Sequence, residues 1–458
     1  MQLMAQTLVG LALAFSFSQC SYEPEISNSG VQLSFSTDTI QFDTLFTERN
    51  SISKRLKVFN PSKEAIRIEQ LNLEAYPEDF NLTVNGIKGD VFNDLLLFGE
   101  DSLLVIIEAN IDQTDSNNPF VIRDLLKVSN AGIEQSVVIE AWGQNAHYLS
   151  DSILSCDSYW PADKPYVLSN NILIDEGCKL TIAPGAKIYS GPESFFLVAG
   201  QLEAIGKADS LIQFTNDRLD EPFASAPGQW GGIIFLEGST NNHMKYTSIQ
   251  NAIVGVNVAT YSADGNYDLN LENVKIGNVS TQAMLILNSD VSAINSLFYN
   301  SVSSTYVHIG GGKTYLEHCT IANYLGVQRE LPAFYLSDSA IDNEENQIVG
   351  PVSAEVKYSM ISGRINEEMG FYESQTGNLQ LNINNNLLKT KLDSFSDSNN
   401  LLNVDPGFKN IFEANFDLSE TSPAIDQAID SQQLIDILGR ARTNTADLGA
   451  FEYSPDQQ

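Results

Sequence analysis

Basic residues are scarce in this chain: 25 Lys and Arg stand against 58 Asp and Glu in 458 residues, a formal net charge of −33. The deficit is spread along the chain, so no basic stripe is available to neutralise a phosphate backbone, and nucleic acid is excluded as a partner. The same field repels polyanionic polysaccharides unless a local cleft or bound Ca2+ reverses its sign. Histidine is equally rare. No two of His147, His243, His308 and His318 lie at metal-ligand spacing, so no resident metal or other cofactor is expected, with bound Ca2+ left open. Four cysteines, Cys20, Cys156, Cys178 and Cys319, are too few for a disulfide-dense scaffold and fit no zinc pattern. Long hydrophobic runs are also missing. The apolar stretch Leu8 to Phe17 is too short to cross a membrane and has the length of a signal-peptide core.

Small and polar residues then lead to Cys20, an arrangement similar to the lipobox of bacterial lipoproteins, whose thiol receives a diacylglycerol. The resemblance implies a signal peptide over residues 1–20 ending at a lipidated Cys20, a linker over 21–30, attachment to a membrane, and residence in the bacterial cell envelope at the outer membrane. In such an oxidising compartment Cys156 and Cys178, which bracket one short segment, can close a disulfide, whereas Cys319 reads as a buried thiol.

From Val31 to Trp142 apolar residues alternate with polar ones, as in Leu56/Val58, Leu71/Leu73, Leu103/Val105/Ile107 and Val137/Ile139. Turn signals at Asn60-Pro61-Ser62 and Asn130-Ala131-Gly132 separate them. Half-buried strands at this spacing predict an antiparallel β-sandwich of about seven strands over residues 31–146. The segments Phe42-Asp43-Thr44-Leu45-Phe46 and Lys54-Arg55-Leu56-Lys57-Val58-Phe59-Asn60 resemble immunoglobulin-like modules of the abnormal-spindle/hydin type, which implies a spacer or contact module.

Beyond residue 147 short apolar runs broken by glycine take over, with gaps too short for crossover helices. A six-residue word with an apolar fourth residue then recurs: Tyr246-Thr247-Ser248-Ile249-Gln250-Asn251, Asn273-Val274-Lys275-Ile276-Gly277-Asn278, Asn295-Ser296-Leu297-Phe298-Tyr299-Asn300 and His318-Cys319-Thr320-Ile321-Ala322-Asn323. A weaker copy is Tyr358-Ser359-Met360-Ile361-Ser362-Gly363. The closing asparagines repeat at roughly 22 to 27 residues, a solenoid period, and strand-rich repeats without helices predict a β-solenoid over residues 147–402. Ile249, Ile276, Phe298 and Ile321 should stack inside one tube, with the asparagines at a bend forming a ladder.

The fold class expected is therefore all-β: a sandwich, then a right-handed parallel β-helix with a C-terminal cap. Leu180-Thr181-Ile182-Ala183-Pro184-Gly185, Gly200 to Gly206 and Pro227-Gly228-Gln229-Trp230-Gly231-Gly232-Ile233 resemble the entry coils of exported Bacteroidetes β-helix proteins of the pectin-lyase-like superfold. The series Asp405-Pro406-Gly407-Phe408, Ser422-Pro423-Ala424-Ile425-Asp426, Gly439-Arg440-Ala441-Arg442 and Asp447 to Glu452 is similar to the choice-of-anchor Q terminus. It implies a capping segment over 403–458 that covers the open solenoid end, with a helical turn at Leu434 to Leu438. The polar stretch Asp338 to Gln347 reads as a loop inserted on one coil, the place where solenoids carry function.

Chemistry is sparse. No Gly-His-Gly or Arg-x-Lys word of the pectin hydrolases occurs, and Lys245, Lys275, Lys313, Lys357, Arg329 and Arg364 belong to no lyase motif, so no catalytic residue is assigned. Gly310-Gly311-Gly312-Lys313 lacks phosphate-loop spacing and reads as a tight bend. Asp217, Arg218, Gln229 and Trp230 form a candidate polar and aromatic ligand patch. The leading expectation is a non-enzymatic envelope lipoprotein that binds glycans or other envelope proteins. The alternatives are a β-helix polysaccharide lyase or glycoside hydrolase, and a purely structural or adhesive surface protein.

Overall fold

The computed structural model describes residues 25–455 apart from 50, 77, 116, 262–264, 342–344 and 444; the signal segment, Cys20 and residues 21–24 lie outside the described residues. The chain divides between Gln144 and Asn145 into two compact units.

In the first unit the two-residue alternation produces two five-stranded sheets. One runs Ser34–Phe35, Lys54–Phe59, Ser102–Ala109, Phe80–Val84, Ile87–Gly89; the other runs Thr39–Phe46, Ile133–Gln144, Phe120–Asn130, Ile66–Leu73, Val91–Leu97. Ser102–Ala109 buries every second side chain, and Leu103, Val105 and Ile107 join Phe42, Leu56, Ile68 and Val137 in one apolar cluster. Two expectations need correction. The described strands number ten, and Thr39–Phe46 pairs parallel to Ile133–Gln144, with Ile40 opposite Ile139. Alternation reports which face is buried and is silent about a neighbour's direction.

The second unit is built almost wholly from parallel pairs arranged as three ladders. The first is a nine-stranded sheet: Ser158–Trp160, Lys179–Ile182, Gln201–Ile205, Asn242–Lys245, Leu269–Glu272, Val291–Ile294, Gly312–Glu317, Val352–Lys357, Leu379–Asn384. The other two interleave in one large sheet, and each coil contributes one strand to each ladder, as in Leu269–Glu272, Lys275–Val279 and Met284–Leu287. This is a β-helix-like body.

The second ladder carries the repeated word. Ile249 lies opposite Ile276, Ile276 opposite Phe298, and Phe298 opposite Ile321; the column extends to Phe214 on one side and Ile361 on the other. All four predicted members are completely buried, each burial contributing about 1.5–3 kcal/mol. Trp160 stacks on Tyr166 in the first coil, and Phe395 joins the interior beside Phe371 at the last.

The segment from residue 403 onward, expected as an end cap, takes another course in its described residues. They lie along the flank, where Phe416, Ile437, Ala450 and Phe451 cover the outward side chains Leu297, Tyr299 and Ala322, and Leu418, Ala424, Ala428 and Leu448 cover Met360 and Leu387. Those outward positions are apolar, so the ladder needs a cover at its side. Leu434–Leu438 is not helical: Ile435 bridges Ala441, and a turn follows.

Candidate functional site

On the nine-stranded sheet alternate residues point outward, and the parallel register aligns them from coil to coil. One row reads Tyr159, Thr181, Glu203, His243, Asn270, Ser292, Tyr315, Glu355, Asn382, each residue opposite the next. Strands in a sheet are about 4.8 Å apart, so the row samples the surface at that interval. Beside it runs Ile205, Lys245, Glu272, Ile294, Glu317, Lys357, Asn384.

These side chains hold one another in place. His243 Nε2 lies 3.2 Å from Glu272 Oε1, and Lys245 Nζ donates to Glu272 Oε2 at 2.5 Å. The hydrogen bond from His243, with the Lys245 ammonium beside it, brings the Glu272 carboxyl down to about 2. Lys179 donates to Glu203 at 2.7 Å and lowers that carboxyl as well. Farther along, Tyr315 donates its hydroxyl to Glu317 Oε2 at 2.9 Å, and Gln433 Nε2 donates to the same oxygen at 3.0 Å. Lys357 lies 3.6 Å from Glu317 and 5.3 Å from the Tyr315 ring centre. Burial pushes the Tyr315 phenol up to about 12, so it stays a neutral donor. The basic residues Lys179, Lys245, Lys313 and Lys357 match Glu203, Glu272, Glu317 and Glu355 one for one on a chain that is otherwise strongly acidic.

The ligand patch expected at Asp217, Arg218, Gln229 and Trp230 does not form. Trp230 is completely buried, its indole N–H donating to the Gln250 carbonyl at 2.8 Å, because the Trp230 ring fills the tube interior with Phe196 and Ile233. Arg218 is held by Asp220 at 2.7 Å and lies 3.6 Å over Phe223, and Gln229 Nε2 donates to the Pro227 carbonyl. Asp217 follows the strand Ile212–Asn216 in the second unit. Cys156 and Cys178 are disulfide-bonded, and Cys319 is a buried free thiol whose Sγ lies 3.3 Å from the Ala293 carbonyl. His308 is enclosed between Thr314 Oγ1 at 2.6 Å and the Gly311 carbonyl at 2.7 Å. Lys245, Lys313 and Lys357 do reach the row's sheet, whereas Arg329 is committed to the buried Glu368 at 2.7 Å. Among the described residues no group of three or more His, Cys, Asp or Glu could hold a metal ion.

The row itself escaped the sequence reading. Its signal was the polar member of each alternating pair, such as Thr181 between Leu180 and Ile182, visible only once the strands are aligned in register.

The fold and the row define an all-β protein with a β-helix-like body that offers one long polar sheet face. No family model matches the chain, and no curated protein matches it. Among solved structures, the ASH/PapD-like domain of human CEP192 shares 13% identity over 28% of this chain and 92% of that one, with a TM-score of 0.18. The catalytic domain of GH87 α-1,3-glucanase in complex with nigerose shares 11% identity over 74% of this chain and 81% of that one, with a TM-score of 0.22. Neither score is one from which a shared fold would follow.

Proposed function

We propose that the protein is an exported lipoprotein, anchored through Cys20 to the outer membrane, that captures neutral glycans along the outer face of its nine-stranded sheet without cleaving them. In this reading the body is a right-handed parallel β-helix, the hand that parallel crossovers take, and the first unit is an immunoglobulin-like spacer. The observation that carries the reading is the in-register row of polar side chains from Tyr159 to Asn382, interrupted at the surface by the buried Ser292 and carrying a phenol at each of two points. Tyr159 is 63% exposed, so its ring is available to a sugar face. Charge balance on this sheet removes the repulsion that the rest of the chain would impose on a ligand, and it gives no net attraction for an anionic one. A glycosidase acid needs a carboxyl raised toward neutrality, whereas Glu203 and Glu272 are both shifted downward and serve better as acceptors for sugar hydroxyls.

The test is titration of purified protein with a panel of neutral and uronate-bearing glycans, with and without Ca2+, while products are followed. Binding to neutral members with no new reducing ends or unsaturated products is expected, and Tyr315→Ala should weaken it about tenfold. Release of products would make the protein an enzyme, and a panel without binders would end the glycan reading. For the anchor, Cys20→Ala should move the protein from the membrane to the soluble fraction of cells; unchanged partitioning would rule out lipidation.

A further inference from the structure

The corner between the third ladder and the nine-stranded sheet is uneven. Two successive connections there are tight, Asn288–Asp290 and Gly310–Gly311, and they lie between two long ones, Ala259–Asp268 and Asp338–Pro351. At the tight connections lies a notch of about 360 Å³, lined among others by Gly265, Asp290, Gly312, Lys313, Ser353 and Gln380. Backbone packs closely beside it: Gly312 has φ +104°, and a Cβ there would lie 2.2 Å from the Ser289 carbonyl oxygen, so the tight connection requires glycine. Its charged pair is fixed in place. The nearly buried Asp290 carboxylate accepts from the Lys313 backbone N–H at 2.8 Å, and its other oxygen lies 3.5 Å from the Lys313 ammonium. Lys313, Ser353 and Gln380 follow one another in register, each two residues before Tyr315, Glu355 and Asn382 on the same strand, so the notch borders the long row directly.

We propose that this notch seats a single neutral sugar branching from a glycan whose main chain lies along the row. The inference rests on the glycan reading and adds a branch requirement to it. The volume is at the small end of the range for ligand sites, which suits one sugar ring better than a chain. A carboxylate, an ammonium, a hydroxyl and an amide side by side accept from and donate to hydroxyl groups, whereas Asp290 opposes an anionic branch and has already engaged Lys313.

Calorimetric titration with linear β-1,4-mannohexaose and with the same backbone bearing a single galactosyl branch tests it. Wild-type protein should bind the branched probe about tenfold more tightly. Ser353→Trp, at an exposed strand position, should fill the notch and reduce the branched probe to the linear affinity while leaving the linear probe unchanged. Equal wild-type affinities for the two probes, or a branch preference that survives Ser353→Trp, would overturn the notch while the row stands. Failure of both probes to bind would remove the notch, and the wider panel then decides whether the row survives.

Discussion

The opening residue of every repeated word, and the closing residue of the first three, adopts the left-handed conformation. Tyr246, Asn273, Asn295, His318 and Tyr358, the opening residues, all have positive φ, as do the closing Asn251, Asn278 and Asn300. Asparagine tolerates this conformation because its short amide compensates the backbone locally. At the closing corner it does more. Asn278 Nδ2 donates to Asn251 Oδ1 at 2.7 Å, and Asn251 Nδ2 donates to Asn216 Oδ1 at 2.7 Å. The ladder stops there: Asn300 Oδ1 accepts from the Tyr324 backbone, and Asn323 Nδ2 turns to the carbonyls of Ser301 and Ser303. Asn251→Ala should therefore cost about 1–3 kcal/mol, more than Asn300→Ala, since it removes one bond from the amide on each neighbouring coil, leaving Asn278 Nδ2 its bond to the Ser225 carbonyl and Asn216 Oδ1 its bond from the Thr215 hydroxyl. Urea midpoints measure this, and equal losses for the two variants would mean that the ladder adds nothing.

The C-terminal segment is the element that gives the opening residues their use. Asn273 donates to the Asp436 carbonyl at 2.6 Å, Asn295 to the Ile435 carbonyl at 3.0 Å, and Tyr358 to the Ile429 carbonyl at 2.8 Å, so successive coils grip one strap. His318 takes the same position in its coil, between the Asp447 carbonyl at 3.1 Å and Ser431 Oγ at 2.6 Å. Burial, reinforced by the positive field of Arg442, holds its imidazole well below its ordinary value. The unfolded chain thus takes up a proton below about pH 6.5 before the folded one does, and stability contributed by neutral His318 is lost as pH falls through that window. Asp447, raised to about 6 by burial, acts in the opposite sense, so the comparison must be between variants. His318→Asn, the residue found at 273 and 295, should keep the bend and shrink the fall in melting temperature between about pH 7.5 and pH 5. An unchanged fall would show that His318 does not set it.

For the molecule as a whole, what could be read in advance was whatever repeats. The period of the word located the coils, and the fourth residue of each copy marked the column of Ile249, Ile276, Phe298 and Ile321. What could not be read depends on contacts distant in sequence. Trp230, in a loop-like Gly-Gln-Trp-Gly string, has the composition of a surface patch, and only closure of the tube puts it inside. The strap's route along the flank follows from outward apolar residues such as Leu297 and Met360, which in a single strand look like more interior. The polar row needed register across nine strands, which no local pattern contains.

The bond between Cys156 and Cys178 joins positions 22 residues apart, and the strands that follow them, Ser158–Trp160 and Lys179–Ile182, are themselves stacked with Ser158 opposite Leu180. The crosslink is thus a rivet through two adjacent layers, spanning one full winding of the spring. The strand Ser158–Trp160 cannot peel away alone, because whatever lifts it must lift Lys179–Ile182 with it. With the bond intact, the opposite tip, where the pairing has thinned to Leu401–Leu402, carries no such crosslink and is the weaker place for unwinding to start.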